Sequence, residues 1–423
     1  MTFQEAYKKL ISLSNLQTTS YSSSQQELEA SLRRTKKLLR LVGTPEQHLR
    51  FIHITGTSGK GSTAYMVHEI LRNSGISVGT YLSPHTTSYL ERFLVNDRLI
   101  DPKIIIKGIE VMSSAYKKLL EEESPMSFFE LSTVLSIYAM ERAGAKYMVL
   151  EVGCGGRYDA TNVIPAPEIA IITNINKDHT KLLGDTLAQI AYEKAGIMKK
   201  HSTVLCGELR PSLKKIFTKE AIKKSAALFF IPPPTENKVA AHMGAHQQHN
   251  AAFAERAAQE LGIDQQVIDK TLTSIRPLPC RFETISTKPH IILDGAHSRA
   301  KMEATAAQLK ELKGNIHVLL GHVTEKPGEE FIKLLAPLAK TIHTTRFTTS
   351  VRKAENPITL LKQVPKRKRG EAYLYPFTAL KSIKKTLKSN DILIVTGSLY
   401  LAGELRSEWV SEEKILQSQS SFV

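Results

Sequence analysis

Residues 51 to 75, FIHITGTSGKGSTAYMVHEILRNSG, contain a glycine-lysine loop between an apolar run and an amphipathic run. The apolar run FIHI predicts a strand, and Gly75 is placed to end the helix that follows the loop. That helix has its apolar residues on one face: Ala64, Val67, Ile70 and Leu71. A strand, a tight glycine loop and a helix N-terminus together form an anion site, because their backbone N–H groups face the ligand. The stretch therefore predicts an α/β fold with a phosphate-binding loop.

The spacing of this loop departs from the usual pattern G-x-x-x-x-G-K-[ST]. Only two residues separate its first two glycines, and Gly61 lies between Lys60 and Ser62. Lys60 is still placed to reach the β and γ phosphates, with a hydroxyl at the helix start near Mg²⁺. A glycine-rich turn with a capping serine would explain the glycines but not the lysine between two of them. We therefore predict that ATP is bound by the loop residues Thr57, Ser58, Gly59, Lys60, Gly61 and Ser62.

Length and composition set the broad class of the protein. A chain of 423 residues is too long for one ordinary core, so two domains are expected. Its three cysteines, Cys154, Cys206 and Cys280, show neither a paired framework nor a metal spacing, which fits a reducing compartment. We find no secretory signal and no apolar run of membrane-spanning length. We expect a cytoplasmic monomer that uses no membrane.

The formal net charge of +16 requires partners of opposite sign. Nucleic acid, anionic lipid and small polyanions all meet that requirement, and composition does not choose among them. The densest basic run, PKRKRG at 365 to 370, has no interleaved aromatic residues and therefore indicates a solvated loop. We expect small anionic substrates and no nucleic acid.

Short apolar runs alternate with helical periodicity along nearly the whole chain, which is typical of a parallel sheet with helices on both faces. The clearest strands are expected at 51–54, 147–152, 169–173, 203–206, 290–294, 316–321 and 391–397. The proline-bearing stretch from 275 to 290 breaks the alternation and indicates a domain junction. We predict an α/β protein with a mostly parallel P-loop sheet in an N-terminal ATPase domain, residues 1–286, and a smaller Rossmann-like domain, residues 287–423.

Two charged residues occupy positions where an unpaired charge is costly. Glu151 closes the apolar run YMVLEV, and its carboxylate suits a hard cation, the alternative being an ion pair with Arg157. Lys194 falls on the apolar stripe of the predicted helix TLAQIAYEKAGIMKK. A buried ammonium needs a partner or a depressed pKa, whereas a lysine at the helix edge extends to solvent. We predict a metal ligand at Glu151 and a buried amine at Lys194.

The loop T-G-T-x-G-K-G-S resembles the ATP loop of the Mur ligase superfamily, in particular of its folylpolyglutamate synthase and dihydrofolate synthase branch. Further segments are similar to that family and occur in its order over most of the chain. They are YLSPHTTSYLERF (81–93), SFFELSTVLS (127–136), LEVGCGGRYDATNV (150–163), ITNINKDHTKLLGDTLAQIAYEKAGIMK (172–199), HQQHNAAFA (246–254), CRFE (280–283), DGAH (294–297) and VTGSLYLAGELR (395–406). The ordered set makes the resemblance specific.

The resemblance implies a metal centre and a folate site. The magnesium ligands, for two Mg²⁺ positions, would be Ser83, Glu151, His179 and carbamylated Lys194. An imidazole ligand is unusual for this ion, which prefers oxygen, so His179 depends on the resemblance. The pterin and benzoyl parts of folate would contact Ser127, Phe128, Phe129, Glu130, Tyr158, Asp159 and Ala160. Aromatic rings suit a flat heterocycle and carboxylates suit its amino groups, although periodicity alone also fits core aromatics at a helix start.

The resemblance also implies residues that act on ATP. Asn250, Arg281 and Asp294 would contact the nucleotide, and the catalytic residues would be Lys60, Lys194 and His297. Gly397 and Ser398, after the last strand, are further candidates to line the cleft. One departure from the family is visible, because Ser298 follows D-G-A-H where asparagine is usual. This puts the hydrogen bonding after His297 in doubt.

The activity implied is ATP-dependent amide ligation of L-glutamate to folates and to dihydropteroate, through an acyl phosphate. A Mur-type ligase of cell-wall precursors would share the ATP residues but lack SFFE and GGRYDATN. A nucleic-acid-stimulated P-loop ATPase would need aromatic platforms or a basic helix stripe, neither of which we identify in the sequence. A non-catalytic nucleotide switch would give no role to Lys194 or Asp294.

Overall fold

The computed structural model describes residues 1–14, 24–240, 243–324, 328–348 and 352–422. The chain divides into two compact units. The first contains Met1–Pro84, Leu90–Ala240 and Gln247–Ile275, and the second contains His85–Tyr89, Ala241–His246 and Arg276–Val423. The division after Ile275 lies at the start of the proline-bearing stretch, and residue 286 lies within a strand of the second unit.

The first unit is built on an eight-stranded sheet. Its strands are β1 (Arg50–Thr55), β2 (Val78–Tyr81), β3 (Phe93–Val95), β4 (Arg98–Leu99), β5 (Tyr147–Glu151), β6 (Ile169–Ile172), β7 (Thr203–Cys206) and β8 (Ala227–Phe230). The strand order is β4-β3-β2-β5-β1-β6-β7-β8, in which β3 pairs antiparallel with both β2 and β4 and the other neighbours pair parallel. The central strands β1, β5 and β6 are almost wholly buried, which explains their unbroken apolar runs.

The helices of this unit are α1 (Phe3–Leu13), α2 (Gln25–Leu41), α3 (Lys60–Asn73), α4 (Pro102–Leu119), α5 (Phe128–Arg142), α6 (Thr180–Leu183), α7 (Leu187–Ala195), α8 (Pro211–Lys224), α9 (Ala245–Glu260) and α10 (Gln265–Ser274). Local sequence explains several ends. A capping box of Thr186 and Gln189 starts α7, and one of Ser127 and Glu130 starts α5. The buried face of α7 packs with α8 against β6 and β7 in one apolar cluster.

The second unit has a six-stranded sheet with order β13-β12-β11-β14-β10-β9. Its strands are β9 (Glu283–Thr287), β10 (His290–Leu293), β11 (Asn315–Leu320), β12 (Ala339–Thr345), β13 (Arg369–Tyr373) and β14 (Asp391–Thr396). Only β9 pairs antiparallel. Its helices are α11 (Arg299–Lys310), α12 (Gly328–Leu335), α13 (Pro357–Lys362), α14 (Pro376–Thr386), α15 (Leu399–Arg406) and α16 (Glu412–Ser418).

Helices cover both faces of this second sheet. Successive strand residues point to opposite faces, and they fall into separate clusters: Ile292 packs with α11, α12 and α13, whereas Leu293 packs with α14 and α15. The two units confirm the predicted α/β class with mostly parallel sheets. Among the described residues, no helix is both long and apolar enough to cross a bilayer.

All seven strands expected from the sequence are confirmed as β1, β5, β6, β7, β10, β11 and β14. The structure adds seven more, chiefly towards the sheet edges. The edge strands β8 and β13 are half exposed, so they lack the continuous apolar run that marks a buried strand. The basic run at 365 to 370 forms a short turn from Lys366 to Lys368 and the start of β13, with its residues largely exposed.

Candidate active site

The glycine-lysine loop follows the carboxyl end of β1, and β1 lies between β5 and β6 in the sheet. Gly59 has a φ of +84° and directly precedes α3, which has no side-chain cap. A Cβ at Gly59 would lie 2.2 Å from Asn250 Oδ1, so both the backbone conformation and the space require glycine. The N–H groups of the first turn have no partner within the helix, and together with the helix dipole they favour an anion.

Asn250 and Gln247, on α9, lie against this loop. Asn250 Nδ2 donates to Gln247 Oε1 at 2.9 Å, and Gln247 Nε2 donates to Ser62 Oγ at 3.3 Å. The structure therefore brings Asn250, which the sequence assigned to ATP, to the loop that the sequence assigned to the phosphates.

The segment after β6 fixes the other side of the loop. Asn174 Oδ1 accepts from the Ser58 N–H at 3.0 Å, and the Asn174 carbonyl accepts from the Thr57 N–H at 3.0 Å. Thr173 Oγ1 and Asn174 Nδ2 both donate to the Ser58 carbonyl, at 2.5 and 3.1 Å. Sequence analysis gave these residues no role, although they belong to the quoted segment ITNINKDH. The polar pair Thr173 and Asn174 directly after a buried strand was the available signal.

Lys60 is half buried and donates from Nζ to the Gly56 carbonyl at 3.0 Å, which folds its side chain over the loop. Two hydroxyls beside it, Ser58 Oγ and Thr63 Oγ1, are buried and have no hydrogen-bond partner within the described part of the chain. Buried polar atoms are normally satisfied, so these orphaned groups fit a loop that is completed by a ligand.

Glu151 ends β5 beside the loop and is only 5% exposed. Its Oε2 accepts from the Ser83 N–H at 2.8 Å, and a Cβ on Gly61 would lie 3.4 Å from the same oxygen. Two of the predicted magnesium ligands, Ser83 and Glu151, are therefore together at the start of α3. Arg157, the alternative partner of Glu151, instead pairs with Glu220 at 3.4 Å. A carboxylate and a hydroxyl-bearing residue at this edge suit a hard cation.

Lys194 is 4% exposed on α7, which confirms the predicted burial and excludes a side chain that extends to solvent. Burial, followed by the nearby charge of Lys60, lowers the pKa of its ammonium to about 7, with Cys154, Asp178 and Asp159 acting in the opposite direction. The amine is therefore substantially neutral near pH 7 and lies near the charged groups of the loop.

His179 precedes α6 in a left-handed conformation, with a φ of +51°. Its N–H donates to Asp178 Oδ1 at 3.0 Å, and its Nε2 lies 3.9 Å from Asp178 Oδ2. The imidazole is 43% exposed. A non-glycine residue held in this conformation stores strain of about 1 to 3 kcal/mol, which is common at functional sites.

Asp159 is buried behind the glycine turn that follows β5. Its Oδ1 accepts from the Thr161 N–H and hydroxyl at 3.0 and 2.5 Å, and its Oδ2 accepts from the Cys154 N–H at 2.9 Å. Burial raises the pKa of this carboxyl group. With 1% exposure, Asp159 shapes the turn, and its predicted contact with folate stays a prediction. The neighbouring Ala160 is also buried.

Glu130 is likewise internal. It pairs with Arg34, at 2.6 Å from Nε to Oε1 and 3.0 Å from Nη2 to Oε2. Ser31 Oγ and the Ser127 N–H donate to the same carboxylate. Glu130 and Ser127 thus form an ion pair and a helix cap, and their predicted folate contacts stay predictions. Arg34 was given no role from the sequence, although it belongs to the stretch LRRTKKLLRLVGTPEQHLRFIHITGTSGKGS (32–62), which resembles the family, and lies on the apolar side of α2.

Phe128, Phe129 and Tyr158 keep partly exposed side chains, as a ligand contact requires. The Phe129 ring lies 6.4 Å from that of Tyr81 and packs at Gly153, where a Cβ would be 2.5 Å from Phe129 Cζ. The Arg92 guanidinium lies 5.5 Å from the Phe128 ring. An aromatic surface with a cation therefore borders the turn that follows Glu151.

In the second unit, Arg281 lies in a strained turn, because Cys280 and Phe282 on either side have φ values of +56° and +54°. The Gly295 N–H donates to the Cys280 carbonyl at 2.8 Å, and the Phe282 N–H donates to Asp294 Oδ2 at 3.1 Å. This pairing places Arg281 against the end of β10, where a Cβ on Gly295 would lie 2.9 Å from its Nη1.

Asp294 is 7% exposed and ties that turn to α11. Its Oδ1 accepts from the Ala296 N–H at 3.1 Å and from Thr305 Oγ1 at 2.7 Å. These bonds give Asp294 a positioning role in the unit. Gly397 has a φ of +98° after β14, and Ser398 caps α15 by accepting from the Tyr400 N–H.

His297 lies at the start of α11, where Ser298 replaces the family's usual asparagine. Its Nδ1 is 2.7 Å from the Gly295 carbonyl, and its Nε2 is 3.0 Å from Lys301 Nζ. Ser298 makes no side-chain cap, and its Oγ is buried without a partner within the described chain. The hydrogen bonding after His297 is thus supplied by Lys301, a residue that sequence analysis did not single out.

A basic helix surface that the sequence analysis did not identify is present on α8. A shallow cavity of about 380 Å³ is lined by Lys214, Lys215, Thr218, Lys219 and Ile222. Because clustered lysines attract polyanions, nucleic acid is one of the ligands that a test of function should include.

Two protein-family models match the chain, one in each of the two units. The Mur ligase middle domain matches residues 54–252, and the Mur ligase glutamate ligase domain matches residues 280–399. The dihydrofolate synthase/folylpolyglutamate synthase of Bacillus subtilis (strain 168) is 28% identical over 411 residues, covering 90% of this chain and 95% of that protein. Folylpolyglutamate synthase of Thermotoga maritima matches in structure with a TM-score of 0.81 and 28% identity, covering 99% of this chain and 98% of the other.

A third similarity shows the fold alone. The structure of E. coli FolC in complex with DHPP and ADP has a TM-score of 0.81 at 23% identity, covering 95% of this chain and 97% of that one.

Proposed function

The chain belongs to the folylpolyglutamate synthase and dihydrofolate synthase family of Mur ligases, and we propose that it joins L-glutamate to folates and to dihydropteroate in an ATP-dependent amide ligation. The observation that supports this most directly is the open N-terminus of α3 beside Lys60, with Glu151 and Ser83 at the same sheet edge. A phosphate site and a carboxylate for a hard cation are what phosphoryl transfer to a carboxylate requires.

The reaction joins an acid to an amine in two steps. A carboxylate oxygen of the pterin substrate attacks the γ-phosphorus of ATP in line, and the bond from that phosphorus to the bridging oxygen breaks. ADP is the leaving group, and the product of this step is an acyl phosphate. The neutral amine of L-glutamate then attacks the acyl carbon, and a tetrahedral intermediate collapses with loss of phosphate and a proton. Lys60 and the loop N–H groups stabilise the charge on the transferring phosphoryl oxygens, which is chiefly electrostatic positioning.

Magnesium would be held by Ser83 and Glu151, with His179 added on the strength of the family resemblance, and we propose two ion positions. The donor set fits, since a carboxylate and a hydroxyl oxygen supply hard ligands at the end of the phosphate loop. The ion would neutralise phosphate charge and polarise the P–O bond.

Lys194 is proposed to become a carbamate. Its neutral amine adds through Nζ to the carbon of CO₂ and loses a proton, so a cation is replaced by a carboxylate-like metal ligand. Its burial and the pKa of about 7 support this, because an ammonium cannot act as the nucleophile. Electron density at Lys194 in crystals grown with bicarbonate tests the proposal, and a bare amine there would contradict it.

The remaining site residues divide between the two substrates. We propose that Phe128, Phe129 and Tyr158 contact the pterin and benzoyl parts, since their rings are partly exposed. Asn250 and Arg281 are proposed to contact ATP, with Asp294 positioning the Arg281 turn. The proposal further includes an ATP-binding and folate-binding domain over residues 1–286, a C-terminal glutamate ligase domain over residues 287–423, a monomeric state and a cytoplasmic location.

Phosphate release measured with several acceptors tests the function. We expect release that requires L-glutamate together with dihydropteroate or tetrahydrofolate, and none with muramyl peptides. Adding DNA or RNA should not stimulate it. Stimulation by nucleic acid alone, or turnover only with muramyl peptides, would refute the assignment. Comparing both pterin acceptors shows which of them the enzyme uses.

A further inference from the structure

The contacts of His297 determine the protonation state of its ring. The Gly295 carbonyl can only accept, so Nδ1, at 2.7 Å from it, holds a proton. The ammonium of Lys301 can only donate, so Nε2, at 3.0 Å from Nζ, is the acceptor. The imidazole is therefore neutral and is the Nδ1–H tautomer, because an imidazolium would place two cations in contact.

Lys301 contacts His297 from the first turn of α11. Its Nζ lies 3.0 Å from His297 Nε2, four residues back along the chain. The other cation of that turn, Arg299, pairs instead with Glu303, four residues on, at 2.9 Å.

A rigid frame holds both partners. Asp294 Oδ1 accepts from the Ala296 N–H, next to His297, and from Thr305 Oγ1 on α11. Thr305 Oγ1 also approaches the Lys301 carbonyl at 3.1 Å. The loop that bears His297 and the helix that bears Lys301 are thus both hydrogen-bonded to the buried carboxylate of Asp294. This holds Lys301 Nζ and His297 Nε2 at a fixed separation.

We propose that Lys301 is a positioning residue for His297, which it holds as the neutral Nδ1–H tautomer with Nε2 turned towards α11. The claim about catalysis rests on the proposed function and on the family resemblance, which implies that His297 is a catalytic residue of the ligation. Charged and titratable groups around this pair include Asp294, which accepts from the Ala296 N–H, Arg281, which lies against Gly295, and His246, which interacts electrostatically with Asp294. A hydroxyl or amide at position 298 alone would not fix Nε2 in this way.

The tautomer is tested without any assay of activity. In ¹⁵N-histidine-labelled protein, two-bond ring correlations at pH 7.5, assigned by loss of one set in His297→Gln, should show the Nδ1–H tautomer. Lys301→Met should shift Nε2 towards the value of an unbonded acceptor or mix the tautomers, whereas Lys301→Arg should retain the wild-type pattern. An imidazolium or Nε2–H ring in the wild type, or an unchanged ring in Lys301→Met, would overturn the proposal.

Kinetics test the positioning role. With the acceptor that supports turnover, Lys301→Met should lower kcat about tenfold, as loss of one aligned hydrogen bond would, and change KM for ATP and glutamate by less than about twofold. Lys301→Arg should restore kcat, and Lys310→Met, at the exposed end of the same helix, should match the wild type. A rise in KM for glutamate at constant kcat would show that Lys301 binds substrate and would overturn the proposal. Absence of ligation in the wild type would instead refute the proposed function, leaving the spectroscopic result to judge the tautomer.

Discussion

Arg34 and Glu130 form an ion pair inside the first unit, with neither side chain more than 2% exposed. The pair joins α2 to the start of α5, ninety-six positions apart in sequence. Because the same carboxylate accepts from the Ser127 N–H, it also fixes the first turn of α5, from which Phe128 and Phe129 project. The aromatic residues proposed to contact folate are thus positioned by a buried charge pair.

Removing one partner of this pair should lower the free energy of unfolding. We expect Glu130→Gln to lower the free energy of unfolding of the first unit by about 3 kcal/mol, because it removes the buried carboxylate that compensates Arg34 and leaves the partly exposed Glu27 to pair with it. Urea unfolding followed by circular dichroism measures this. Lys107→Gln, which breaks an exposed pair with Glu110, should leave the transition unchanged. A Glu130→Gln variant as stable as the wild type but unable to bind folate would support Glu130 as a ligand contact.

Alanine substitutions at two glycines distinguish the cost of backbone strain from an effect on ATP binding. Gly59 and Gly75 have φ values of +84° and +82°, but only Gly59 has an obstructing neighbour, Asn250. Alanine at either position should cost about 1 to 2 kcal/mol of stability from the left-handed backbone. Only Gly59→Ala should also weaken binding of a nonhydrolysable ATP analogue, by about tenfold or more, because the loop must shift. Calorimetric titration measures this, and equal affinities in the two variants would contradict a phosphate role for the loop.

Glu151 should set the magnesium requirement. Glu151→Gln keeps an oxygen acceptor for the Ser83 N–H but removes the charge, so the Mg²⁺ concentration for half-maximal ligation should rise by about tenfold or more. The exposed substitution Glu110→Gln should leave this concentration unchanged. Chelation with EDTA should abolish phosphate release, and added Mg²⁺ should restore it. Ligation that survives chelation would rule out the metal centre.

His53 should make the protein less stable in acid. It is fully buried, and burial holds the pKa of its imidazole well below 6.5. Thr161 donates its hydroxyl proton to Asp159, so His53 Nε2–H donates to Thr161, and the buried Nδ1 has no partner within the described residues. Below pH 6.5 the unfolded state therefore binds a proton that the folded state does not, and stability falls as pH falls.

His53→Gln should remove this contribution, which is at most about 1.4 kcal/mol per pH unit between the unfolded and folded pKa values. The free energy of unfolding should then depend less steeply on pH from 6.5 to 5 than in the wild type. His48→Gln, with an exposed ring, should leave the slope unchanged. An identical slope for His53→Gln would show that the imidazole is protonated in the folded state.

Local patterns in the sequence were enough for the buried strands, the phosphate loop and Lys194. Continuous apolar runs indicated β1, β5 and β6, since these strands are buried on both faces. Helical periodicity indicated the burial of Lys194, since residues three and four apart share a face. The half-exposed strands β8 and β13 gave no such pattern and were missed.

The sequence by itself determined that the chain is an α/β protein with an anion-binding loop and the motifs of a Mur-type ligase, because apolar periodicity and glycine placement act over a few residues. Only the tertiary structure decided which polar groups meet. Glu130 and Asp159 looked equally suited to a ligand in the sequence, yet both are saturated by internal donors. The sheet order and the packing of α2 bring Arg34 to Glu130, and the position of α11 brings Lys301 to His297. The sequence does not show these pairs, because a hydrogen bond depends on distance and direction in space rather than on separation along the chain.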